Sequence, residues 1–166
     1  MSAMDVSLDD KGLTRFLNAQ DRGDPASLET ALSELRLGTK QEHWIWYVFP
    51  QLRGLGHSPH AHYYGIQGLS EAADYLRNPL LRERYQLCLS EILTHLRSGT
   101  KLRTILGSTD SLKAISSITL FQVMLKRSGT QDQRLASELL LMMEEFFVLI
   151  SHDGDRPCQA TLHCLE

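Results

Sequence analysis

Apolar positions along this chain recur three and four residues apart, the spacing that gives a helix one buried stripe. Leu13, Phe16 and Leu17, with Gln20 in register, mark a helix over about residues 9–22. Asp24-Pro25 supplies an N-cap followed by proline at the first helical position. Leu28, Ala31, Leu32 and Leu35 carry the next stripe, which stops at Gly38. Thr39 with Glu42 reads as a capping box for the run KQEHWIWYVF, which ends at Pro50. Ser70-Glu71 opens a short helix to Leu76, and Asn78-Pro79 starts a longer one to about Leu96 with Gly99 beyond it. Residues 100–106 form a short helical turn. Thr109 or Ser111 begins a helix to Lys126, residues 132–150 form a last long helix, and residues 158–165 form a short one. Only Trp44 to Phe49 is rich in strand formers, and the capping box before it favours helix. The segment 55–68, LGHSPHAHYYGIQG, has no clear period, and long irregular loops in compact domains often carry function. The expected fold is all-α, a single compact globule of about seven helices over residues 9–166 after a disordered N-terminus of residues 1–8.

Two of these helices are apolar on every side. In 40–49, Trp44, Ile45, Trp46, Tyr47, Val48 and Phe49 cover the full circle. In 111–125, Leu112, Ile115, Ile118, Leu120, Phe121, Val123, Met124 and Leu125 do the same. Such helices are central, and these two are expected to pack on each other. Their polar residues are therefore informative: His43, with Gln51 just after Pro50, and then Lys113, Ser116, Ser117, Thr119 and Gln122. Lys113 stands in a first turn, where the positive end of the helix dipole repels it. An anion removes that penalty, and both Asp110 and a bound ligand qualify. The hydroxyls can instead bond to carbonyls four residues back.

Composition narrows the class. Of 166 residues, 42% are hydrophobic and 22% charged, the mix of an ordinary globule. Seventeen Lys+Arg against twenty Asp+Glu leave a net charge of −3, which disfavours nonspecific binding to nucleic acid or to an anionic membrane. The first fifteen residues lack the apolar run of a signal peptide. Cys88, Cys158 and Cys164 are odd in number and form no CxxC, so a disulfide framework is not expected. The expected location is cytoplasmic.

Few chemical motifs are present. His57, His60 and His62 lie in HSPHAH, but the spacing matches no zinc pattern and no HExxH occurs. GxSxG, GxxxxGK[ST] and GxGxxG are absent. Arg53-Gly54-Leu55-Gly56 can form a small backbone nest for an anion or a plain turn. His43 is a candidate acid/base in an aromatic setting or a bonded core histidine. Trp44 and Trp46 can stack a planar ligand or simply fill the core.

The run HWIWYVFPQLRGLGHSPHAHYYGI resembles the family designated domain of unknown function 1810. The matching residues are Arg15-Phe16 with Gln20, His43-Trp44, Trp46, Phe49-Pro50-Gln51, Gly54-Leu55-Gly56 and Ser58. Glu71-Ala72, Tyr75-Leu76, Pro79, Asp110, Lys113, Ser116-Ser117 and Thr119-Leu120-Phe121 follow. The resemblance spans about residues 12–165 and implies a mainly helical single domain without implying an activity. Asn78 stands where the family pattern has His, and Ala114-Ile115 replaces a more polar pair. The calpastatin-like label sometimes given to the family finds no support, since calpastatin is a disordered inhibitor and this composition is globular.

Three functions compete on these residues. In a ligand pocket, Lys113, Arg53, Gly54, Gly56 and Ser58 hold an anionic group, with Asp110 beside them. Trp44, Trp46 and Tyr64 pack a planar moiety, and Gln51, Ser116, Ser117 and Thr119 orient it. With His43 and Lys113 as the catalytic pair, the reaction would be hydrolysis of a nucleotide or ADP-ribosyl-type compound. No metal or cofactor is called for. In a noncatalytic interaction module, the binding surface is the loop 56–68 with the exposed face of a neighbouring helix. A zinc hydrolase rests on His57, His60 and His62 alone. The residues do not decide between catalysis and binding, and they leave the oligomeric state open.

Overall fold

Asn78 shows how directly this sequence writes its helix ends. Its side-chain oxygen accepts from the N–H groups of Leu80 and Leu81, both at 3.1 Å, and Pro79 occupies the first helical position, where no N–H is needed. The computed structural model describes residues 8–23 and 26–166, with side chains from Gly12 onward. Among the described residues there are eleven helices and a single parallel bridge, Leu52 to Ile66. The helices are α1 (Leu8–Arg22), α2 (Leu28–Leu37), α3 (Ile45–Val48), α4 (Pro59–Tyr63) and α5 (Leu69–Arg77). Then come α6 (Pro79–Arg97), α7 (Leu102–Leu106), α8 (Ser108–Arg127), α9 (Thr130–Leu135), α10 (Ser137–Ser151) and α11 (Gln159–Cys164). None is long and apolar enough to cross a membrane.

The all-α expectation holds, but the count of about seven does not. The irregular loop contains α4, started by Ser58, whose Oγ accepts from Ala61 N at 3.1 Å. The long C-terminal helix is two, divided at Ala136, whose φ of −117° and ψ of 27° leave the helical region. The helix expected over 40–49 shrinks to the single turn α3. The reason is Glu34, buried on α2. Its Oε1 accepts from Gln41 N at 2.7 Å, Glu42 N at 2.8 Å and the Trp44 indole at 3.1 Å. The Thr39 hydroxyl would have capped that same Glu42 N–H, and a carboxylate is the stronger acceptor. The proposed Asp24-Pro25 cap and residues 1–7 lie outside the described residues. The observed cap of α2 is Ser27, whose Oγ accepts from Thr30 N at 3.1 Å.

α6 packs between α2 and α10, and α8 packs against α3, α5, α7 and α11. Between them lies an aromatic network. Phe121 sits 5.1 Å from Tyr85 and 5.2 Å from Tyr75, and Tyr75 meets Phe16 edge-on at 5.1 Å. α8 is central, as its all-round apolar sequence implies, and α3 contacts it. Burial pushes the Cys88 thiol up to about 12, which keeps it protonated among the apolar side chains of α6.

Ser116, Ser117 and Thr119 of α8 are held by protein partners, whereas the buried Ser111 hydroxyl has none. Ser117 Oγ lies 2.9 Å from Tyr85 OH, and Ser116 Oγ lies 2.8 Å from Thr161 Oγ1 on α11. Thr119 donates to Ile115 O at 2.7 Å and accepts from Cys158 N at 2.9 Å. Burial pushes the Tyr85 phenol well above its usual range, so its hydroxyl remains neutral. Ser117→Ala strands that hydroxyl in the core. It is expected to cost about 1–3 kcal/mol, read as a lowered midpoint in thermal unfolding.

Candidate functional site

Pro50 ends the turn that carries Trp46, and the chain then runs through Gln51 to the bridge at Leu52 and Ile66. Arg53 N donates to Ile66 O and Ile66 N to Gln51 O, each at 2.8 Å. This pairing folds the segment 53–65 back over α3 and brings α4 against Trp46. His60 of α4 stacks on the Trp46 ring at 4.7 Å and 26°. Gly65 passes so close to Arg53 that an added Cβ would lie 2.7 Å from Arg53 Cα, which explains a glycine there.

A slot of about 220 Å³, open to solvent, lies between α3, α4 and the start of α8. Ile45, Phe49 and Ala61 make its apolar wall, and Trp46, Gln51, Tyr64, Gly65 and Lys113 line the rest. Its interior has room for about one water molecule. The Trp46 Nε1–H is buried and has no acceptor. Lys113 Nζ lies over the same indole, 4.9 Å from its centroid, and 3.7 Å from Asp110 Oδ1. Asp110 also pairs with Lys40 at 2.6 Å, and Lys40 lies over Trp44 at 4.8 Å. Asp110 thus sits between two lysines, each placed over a tryptophan. The cation–π contact and the ion pair together offset the repulsion that a lysine meets in a first helical turn.

Of the residues singled out from sequence, Trp46, Gln51, Tyr64 and Lys113 come together at the slot, and Asp110 touches Lys113. Trp44 does not join them. It is fully buried, with its indole given to Glu34. His43 is exposed, its ring 6.4 Å from Trp46. Ser58 caps α4. Gly56 lies against Ala61, where an added Cβ would come within 2.7 Å of Ala61 Cβ, and Gly54 is exposed at φ 100°. Arg53 lines a different groove, near α11. Ser116, Ser117 and Thr119 are bonded as described above. His57, His60 and His62 are exposed, and no group of three His, Cys, Asp or Glu among the described residues is placed to hold a metal.

Sequence reasoning missed three features. His60 was read only as a potential metal ligand, although its closeness to Tyr63 and Tyr64 was a signal for stacking. Lys40 carried no signal of its own within the run KQEHWIWYVF, yet its side chain is 4% exposed. Arg15 carried no signal beyond the RF pair. It is buried, donating through Nε to Tyr63 O at 2.8 Å and through Nη2 to Gly65 O at 3.0 Å and Glu71 Oε1 at 2.7 Å. Glu71 in turn accepts from Gln67 N at 3.3 Å. One arginine therefore anchors the backbone on both sides of Tyr64.

The chain is similar to the conserved hypothetical protein Rv1873 from Mycobacterium tuberculosis, known from a crystal structure. The two share 35% sequence identity over 92% of this chain and 95% of that one, with a TM-score of 0.69. No curated protein matches the chain. Residues 10–140 match the family described as protein of unknown function DUF1810. With the family model matching most of its length and a fold similar to that of Rv1873 at 35% identity, the chain belongs to the DUF1810 family.

Proposed function

We propose that this chain binds a small anionic ligand at the Trp46–Lys113 slot. The observation that carries the reading is the buried Trp46 N–H without an acceptor, in the wall of a slot that Lys113 also lines. A buried donor left unbonded costs about 1–3 kcal/mol, and a ligand oxygen entering the slot removes that cost while meeting the ammonium. The slot is smaller than pockets that enclose a whole drug-sized ligand, about 300–1,000 Å³. It takes one anionic end. A shallow depression of about 190 Å³, lined by Pro59, His60, Tyr63 and Tyr64, adjoins it at Tyr64 and offers faces for a planar remainder. Nucleotides and ADP-ribosyl-type compounds combine those two parts. His60 is the imidazole nearest Trp46 and the first candidate acid/base should the ligand be hydrolysed.

Thermal unfolding of the wild type with AMP, ADP-ribose and citrate tests this. At least one is expected to raise the melting temperature, and Lys113→Ala and Trp46→Phe are expected to abolish the rise. No shift with any of the three, or equal shifts in wild type and Lys113→Ala, refutes the slot as the site.

A noncatalytic docking role is the second reading. Tyr63 is 56% exposed and packs edge-on against Tyr64 at 4.7 Å, and exposed tyrosines are enriched at interface cores. On that reading Tyr63→Ala loses a binding partner while the ligand response of the slot is kept.

A further inference from the structure

We propose that the groove beside Arg53 is a second, separate anion site that takes the phosphate group of a small phosphomonoester. The groove holds about 460 Å³, is lined by Leu52, Arg53, Ile66, Gln67 and Gly68 on one side and by Cys164 and Leu165 on the other, and is distinct from the Trp46 slot. Its size falls within the range of small-ligand pockets, about 300–1,000 Å³.

Arg53 is unlike the other sheltered arginines. Arg15 pairs with Glu71, Arg84 with Asp21, and Arg82 donates to Leu76 O. Among the described residues, Arg53 has no carboxylate within ion-pair distance, and its Nε–H is buried with no acceptor at all. The base of the side chain is set by Gly65, which packs against its Cα and Cβ. A guanidinium that borders the groove without a carboxylate partner can supply half of a phosphate fork.

The second half lies at Gly68. This residue is the N-cap of α5, it provides no side-chain cap, and nothing stands within 4 Å of where a Cβ would be. The first-turn N–H groups of α5, the helix that starts just after this groove-lining glycine, therefore lack a capping side chain, and the helix dipole favours negative charge there. The acidic residue of that turn, Glu71, is neutralised by Arg15 at 2.7 Å. A phosphate, with three acceptor oxygens, can use the guanidinium and the helix end together. A carboxylate, with two, is matched by the guanidinium alone.

Titration calorimetry with phenyl phosphate, and in parallel with benzoate, separates the outcomes. The wild type is expected to bind phenyl phosphate saturably and at least about tenfold more tightly than benzoate, a difference of roughly 1.4 kcal/mol. Arg53→Gln is expected to weaken phenyl phosphate about tenfold or more. Arg53→Lys, which keeps the charge but loses the fork, should fall between. The same titrations in Lys113→Ala, which disables the slot, isolate the groove: binding that persists there and is lost when Arg53→Gln is added belongs to Arg53, so failure here is distinguishable from failure at the slot. Absence of saturable binding to the wild type, equal binding by Arg53→Gln, or benzoate binding as tightly as phenyl phosphate would overturn the proposal.

Discussion

Replacing Arg15 by Ala is expected to destabilise the protein by about 3–5 kcal/mol, the usual cost of removing one partner of a buried ion pair. For a chain of this size that lowers the melting temperature by about 6–20 °C. The side chains of Arg15 and Glu71 are 7% and 17% exposed, so water cannot replace the lost guanidinium without opening the structure. The loss is threefold: Glu71 keeps a charge without its partner, and the carbonyls of Tyr63 and Gly65 lose their donors. Arg15→Lys should recover only part of the stability, because an ammonium lacks the planar fork that reaches Glu71 and both carbonyls. Limited proteolysis should find new cleavage within 56–68 in both variants. An Arg15→Ala protein that melts within about 1 °C of wild type would show that the anchor contributes nothing.

Glu34→Ala should cost about 2–4 kcal/mol, since hydrogen bonds to a charged group contribute roughly 1.5–3 kcal/mol and the buried Trp44 indole is left unsatisfied. The same carboxylate makes stability depend on pH. Burial pushes its pKa up, but the N–H groups of Gln41 and Glu42, the Trp44 indole and the charge of Lys40 outweigh burial, so the folded value lies below the usual 4.5. The unfolded chain therefore takes up the proton first. The stabilisation is complete above pH 4.5 and is lost as pH falls through the folded value. Wild type should lose stability on acidification in that window, and Glu34→Gln, which keeps an acceptor but cannot titrate, should show a shallower slope. Parallel slopes in urea melts across pH 3–6 would refute this assignment to Glu34.

These two residues also mark where sequence reading stops. The ends of α6 were legible because Asn78, Pro79 and Gly99 act on their own neighbours. α8 was legible as central because its apolar residues run all the way round. Arg15 and Glu34 act on backbone far along the chain or out of helical register, and neither differs in type from an ordinary surface charge. The break at Ala136 has no Gly or Pro to announce it. Nearby, the Arg77–Asp132 fork, at 2.8 and 3.0 Å, ties α9 to α5 across a long stretch of sequence. For the site, the sequence brought Trp46, Gln51, Tyr64 and Lys113 into view because polar groups in an apolar run need partners. It could not separate them from Trp44, Ser116, Ser117 and Thr119, whose partners come from α2, α6, α8 itself and the start of α11. Nor could it show that Arg53 and Lys113 line different cavities.

The Leu52–Ile66 bridge gives the molecule an internal gauge. Its two amides, on Arg53 and Ile66, belong to no helix, and they close the segment that separates the slot from the Arg53 groove. Their isotope exchange with solvent therefore reports detachment of that segment by itself, while the helical amides of α6 and α8 report loss of the whole core. Comparing the two sets in one spectrum measures how often the segment lifts while the rest of the fold stays intact.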